Sequence, residues 1–74
     1  MNIIIKLLDN TKNTLEVDEN ITISKLKNLI EAKLNINKNI QRLIFNGYSL
    51  SDEKTLKQLN IKNNSIIHLI LQMY

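Results

Sequence analysis

Apolar and polar positions alternate with a two-residue period at both ends of this chain. Between Met1 and Leu8, the residues Met1, Ile3, Ile5 and Leu7 share one phase; Asn2, Ile4, Lys6 and Leu8 share the other. That alternation predicts a strand whose first set faces a core. Ile4 and Leu8 are then apolar side chains on the outer side. Asp9-Asn10-Thr11 predicts a turn, with Asn10 suited to the left-handed region. A second strand is expected from Asn13 to Val17, with Leu15 and Val17 inward. Asn13 falls in the same inward phase, at the open end of the strand, where a polar group stays wet.

The period then lengthens. Ile23, Leu26, Ile30 and Leu34 recur at three- and four-residue steps, which predicts a helix over 23–34 with one apolar stripe. Leu29 is expected to widen the stripe, while Ser24, Lys25, Asn28 and Glu31 face water. Thr22 is the expected N-cap. Lys25 opposes the helix dipole, and Asp18 and Glu19 just upstream offset it. Asn35 can take the left-handed position that closes a helix, usually held by Gly. Ile36 is then expected to point out of the loop.

Period two returns at Ile40. In Gln41-Arg42-Leu43-Ile44-Phe45, Leu43 is expected to face the core and Ile44 the solvent, with Arg42 beside it. Asn46-Gly47 tolerates positive φ twice in succession, a hairpin signal, and Tyr48-Ser49-Leu50 returns. Ser51 to Lys54 reads as a polar turn. Thr55 to Asn60 reads as one helical turn at most, with Leu56, Leu59 and then Ile61 inward. Asn63-Asn64 turns again, and Ser65 to Gln72 is the last strand. Ile67, Leu69 and Leu71 form one phase of it; Ile66, His68 and Ile70 form the other. Two hairpin-like pairs with one helix crossing a mixed sheet make an α+β layout.

Composition narrows what such a domain can do. At 74 residues it is one domain, with a net charge of +3 and no Cys. No disulfide, thiolate metal site or Cys nucleophile is available. Cytosol or nucleus is the expected location. No apolar run approaches a membrane span, and Met1 leads into a patterned strand, not a signal peptide. The basic residues are interleaved with acids, and two Tyr and one Phe give no stacking platform. Neither a nucleic acid nor a membrane is therefore expected as partner. Asn, Ile and Lys are abundant beside one Gly and no Pro, a bias that reads as an AT-rich genome. An enzyme is not expected. His68, the only histidine, falls on an open sheet face, and no Gly-rich phosphate loop or metal-ligand cluster stands out. No catalytic residue, metal or cofactor is assigned.

At this point the chain resembles ubiquitin and its relatives, without a gap from Met1 to Tyr74. The stretches that carry the likeness are Thr14-Leu15-Glu16-Val17, Gln41-Arg42-Leu43-Ile44-Phe45, Gly47, Thr55-Leu56, Asn60-Ile61 and His68-Leu69. The resemblance implies the β-grasp fold, a five-stranded mixed sheet packed on one central helix, with strand one next to strand five. It also implies that Leu8, Ile44, His68 and Ile70 meet in a shallow outer patch, with Gly47 beside them and Arg42 at the rim. Ile36, Leu71 and Met73 are expected to form a secondary apolar patch. In the family the main patch takes up ubiquitin-interacting helices and small helical domains. Protonation of His68 would place a charge there, so apolar partners are expected to bind more weakly in acid.

The departures from the family pattern point away from a conjugated modifier. The final residues are Leu71-Gln72-Met73-Tyr74 where a modifier carries a diglycine tail, and Gln72 replaces an Arg used by the activating enzyme. Tyr48, Asn63, Thr11 and Leu29 stand where the family's chain-bearing lysines do; Lys6, Lys27 and Lys33 remain and are read as solvated. Asn10, Asn35, Asn46, Asn60 and Asn64 fall where the family's backbone is left-handed or nearly so, and positive φ is expected at most of them. Leu59 replaces a tyrosine that ties down a loop, and Asn37 and Lys38 replace prolines, so both loops are expected to be looser. The resulting expectation is a monomeric, non-conjugated ubiquitin-like module, the N-terminal part of a longer protein. It would act in the ubiquitin–proteasome and chaperone system, on a proteasome receptor, segregase or chaperone, as ubiquilin-type shuttles and Scythe-type (Bag-family) chaperones do. The turn Leu7-Leu8-Asp9-Asn10 is closer to the Scythe type. The alternative is a divergent modifier whose Gly-Gly lies beyond Tyr74.

Overall fold

The computed structural model describes residues 1–72. Its elements are β1 (Asn2–Lys6), β2 (Lys12–Glu16), α1 (Ile23–Leu34), a short 3-10 turn (Lys38–Ile40), β3 (Gln41–Phe45), β4 (Tyr48–Ser49) and β5 (Ser65–Leu71). The strands form one sheet in the order β2-β1-β5-β3-β4. β1 and β5 run parallel and the other neighbours antiparallel. This is the expected α+β arrangement, a mixed five-stranded β-grasp sheet with a single α-helix.

The helix occupies its predicted span because its start and stop are both chemically marked. Thr22 Oγ1 accepts from the Lys25 amide at 3.2 Å. Asn35 closes the helix at φ 57°, its amide donating to the Glu31 carbonyl at 2.8 Å. Ile23, Leu26 and Ile30 are fully buried, and Leu34 packs against the core at partial burial. Leu29 does not widen the stripe; it is 43% exposed. It follows Leu26 by three residues but falls on the flank that no strand covers.

From the sheet, Ile3, Ile5, Leu43, Ile67 and Leu69 complete the core, with Val17, Leu50, Leu56 and Ile61 closing it from the loop side. Loss of any of these aliphatic side chains would remove roughly 1.5–3 kcal/mol of burial before any cavity cost. Leu56 is held by a reciprocal cap: the Thr55 amide donates to Gln58 Oε1 at 2.9 Å and the Gln58 amide to Thr55 Oγ1 at 3.1 Å.

Strand ends differ from expectation. β1 stops at Lys6 because the Leu7 amide donates to the Thr11 carbonyl and the Asn10 amide to the Leu7 carbonyl, closing a tight turn. Leu7 is consequently half-buried, and Met1, ahead of the strand, is half-buried too; both pack against the core. The turns themselves are as expected. Asn10, Asn35, Asn46, Asn60 and Asn64 all have φ between 53° and 70°, and Gly47 follows at 81°. Five left-handed non-glycine residues are tolerable because Asn pays the smallest steric penalty there.

Ile36 does not point out of its loop. It is half-buried against the core, and its carbonyl accepts from Gln41 Nε2 at 2.9 Å, folding the loop back. Two lysines read as solvated are engaged instead. Lys27 pairs with Asp52 at 2.8 Å and is 16% exposed in its side chain; Lys33 Nζ donates to the Thr14 carbonyl at 2.9 Å.

Candidate functional site

The face of the sheet turned away from the core is assembled by register. Leu43 pairs with Leu69 and Ile5 with Ile67, and all four point inward. Their neighbours therefore point outward in matched rows. Across β1, β5, β3 and β4 one row reads Lys6, His68, Ile44, Ser49. The next row pairs Ile70 with Arg42, and on the other side Ile4 pairs with Ile66. His68 thus sits between Lys6 and Ile44, and the predicted residues Arg42, Ile44, His68 and Ile70 occupy two adjoining cross-strand pairs.

Ile44 and Ile70 are half-buried, which is what apolar residues on an uncovered sheet face reach by leaning on their neighbours. His68 and Arg42 are exposed. The Arg42 guanidinium is anchored: Nε and Nη2 both donate to Gln72 Oε1, at 3.0 and 2.6 Å. Gly47 caps the β3–β4 turn in open space, with nothing within 4 Å of where a Cβ would stand. A visitor can therefore approach Ile44 past the turn.

Leu8 stands apart from these pairs. Were β1 two residues longer, Leu8 would lie beside Ile70; the turn that begins at Leu7 removes it from that register. It is 79% exposed and lines a shallow apolar cavity of about 230 Å³ with Leu7, Asp9, Leu69 and Leu71. Of the secondary patch, Leu71 is at this cavity and Ile36 is not; Met73 lies outside the described residues.

A second cavity, about 320 Å³ and polar, lies on the helix side between Ser24, Lys27, Lys38, Asn39, Gln41 and Asp52. Gln41 is 5% exposed and donates from Nε2 to the carbonyls of Lys27 and Ile36, while its Oε1 has no partner. Sequence reading passed over Gln41, although its parity with Leu43 puts it on the inner face.

Chemically, the outer face offers aliphatic contact beside cationic groups. Among the described residues no three His, Asp or Glu side chains gather as metal ligands, and no helix is long and apolar enough to cross a membrane. Such a surface suits noncovalent contact with another protein.

Comparison with known proteins agrees with this architecture. Ubiquitin-like protein 4A from Rattus norvegicus is 39% identical over 72 residues, 97% of this chain and 46% of that protein. The Homo sapiens form is 36% identical over the same length and shares. Large proline-rich protein bag6 from Xenopus tropicalis is 36% identical over 70 residues, covering 95% of this chain and 6% of that protein. The chain thus spans less than half the length of these relatives. The model named "Ubiquitin family" matches residues 3–74. With the sheet order, the single helix and this match taken together, the chain belongs to the ubiquitin family.

Proposed function

We propose that this chain is a non-conjugated ubiquitin-like module that binds other proteins through Arg42, Ile44, Gly47, His68 and Ile70, with Leu8 at the border. The observation that carries the reading is the pairing of Ile44 with His68 and of Arg42 with Ile70 on the uncovered face. Ile44 is the anchor: it is central, aliphatic and flanked by groups that keep the rim polar. Its partner is an amphipathic helix or a small helical domain. So small a patch supports affinities on the order of micromolar to millimolar.

The relatives are longer proteins named ubiquitin-like protein 4A and bag6. Their lengths favour a module attached to further sequence, and we place its work in the chaperone and proteasome system of the cytoplasm or nucleus. Gln72, standing where the family's modifiers carry an Arg used by the activating enzyme, favours a domain that is bound but not conjugated.

The test is titration of the labelled chain with a ubiquitin-interacting helical peptide, alongside Ile44→Ala. Truncation should weaken binding by about 1–3 kcal/mol while leaving the fold intact. Equal affinity of the two proteins would refute the anchor. Thioester formation on incubation with activating enzyme and ATP would refute the non-conjugated assignment.

A further inference from the structure

The row through His68 continues past the proposed patch. Lys6 pairs with Lys12 across β1 and β2, and with His68 across β1 and β5. Three basic side chains therefore stand on adjacent strands in one row. Like charges directly opposite each other weaken a sheet. Among the described residues the two ion pairs are Lys27–Asp52 and Lys57–Glu19, so neither Lys6 nor Lys12 has a carboxylate to offset the repulsion. The adjoining row holds Ile4 opposite Ile66, the latter 39% exposed. An apolar pair thus runs beside a basic row on the β2-β1-β5 side of the sheet.

We infer that this side docks an amphipathic helix of a partner protein whose one edge is acidic. The inference rests on the reading above that the outer face binds proteins, and adds a subsite and the partner's charge. Dimensions favour a helix. Strands are about 4.8 Å apart, so the basic row has nearly the 5.4 Å spacing of successive helical turns. Acids one turn apart then meet Lys12, Lys6 and His68 in sequence. The next row lies about 7 Å along the strands, within the width of the same helix, so its apolar stripe covers Ile4 and Ile66. Nucleic acid is disfavoured because this stretch of the face, Lys6, Lys12, Ile4, Ile66, His68, has no aromatic ring wide enough to stack a base beyond the imidazole.

Two synthetic helical peptides test this: one with a Leu stripe and Glu along one edge, the other with Gln in place of Glu. The Glu peptide should bind more tightly and lose the advantage in high salt. Lys12→Glu should weaken the Glu peptide about three- to tenfold and leave the Gln peptide unchanged. The same substitution faces Lys6 with a carboxylate, so it should raise Tm, which separates lost binding from lost fold. A Lys-edged peptide should regain affinity for Lys12→Glu. Indifference of the Glu peptide to Lys12→Glu, or equal binding of both peptides, overturns the inference and leaves the Ile44 anchor standing. Tighter binding to phosphatidylserine vesicles or to a single-stranded oligonucleotide than to the Glu peptide also overturns it. If Ile44→Ala does not affect the ubiquitin-interacting peptide while Lys12→Glu still weakens the Glu peptide, only the anchor reading fails.

Discussion

The two faces of the sheet are built from the same residue and do opposite things with it. Ile3 and Ile5 of β1 and Ile67 of β5 are wholly buried; Ile4 and Ile66, each one peptide away, lie on the uncovered side. Side chains in a strand alternate between faces, so a single step in sequence moves an isoleucine from the core to the uncovered face. The inner set has the helix stripe of Ile23, Leu26 and Ile30 within its cluster. The outer set has only its cross-strand neighbours. Identical chemistry thus supports stability on one side and leaves aliphatic surface uncovered on the other.

The sharpest way to break this contrast is to truncate both members of one pair. Ile67→Ala should destabilise the fold by about 2–5 kcal/mol in urea denaturation, since a fully buried branch is lost and the rigid helix cannot fill the gap. A domain of this length has roughly 4–11 kcal/mol in all, so part of the population should unfold. Gln41, the polar exception on the inner face, comes next. Gln41→Ala leaves the Lys27 and Ile36 carbonyls without their donor and should cost about 1–3 kcal/mol. Ile66→Ala, on the outer face, should change stability by less than about 1 kcal/mol. A loss comparable to that of Ile67→Ala would erase the distinction between the faces.

The smallest effect concerns acid. Hydrogen bonding from Thr11 holds the Asp9 carboxyl below its ordinary range, and the Thr11 amide lies 2.9 Å from Asp9 Oδ1. A carboxylate with a lowered folded-state pKa contributes stability above its ordinary range and loses it as pH falls through the folded value. Asp9→Asn should therefore flatten the acid limb of a Tm-against-pH curve slightly. A change at neutral pH as large as that of Ile66→Ala would contradict the assignment of Asp9 to a purely local turn.

What the sequence disclosed was what short-range geometry controls. The span of α1, its Thr22 and Asn35 ends and the five left-handed asparagines each depend on a few neighbouring residues. The outward phase of Ile44, His68 and Ile70 depends on parity alone. The misjudged positions depend on something distant. Leu29 needed knowledge of which flank of the helix the sheet leaves bare. Ile36 turned on an amide five residues away. The juxtaposition of Lys6 and Lys12 required the register of a pairing, which no single strand reveals.

β5 is last among the elements but lies between β1 and β3 in the sheet. A ribosome making this chain would deliver both flanking strands before the strand that joins them. Until Leu71 clears the exit tunnel, β1 and β3 each have an unpaired edge, and the nascent domain has nothing to zip them together. Folding during synthesis should therefore be late and abrupt, and chaperones that shield strand edges have their opportunity in that interval.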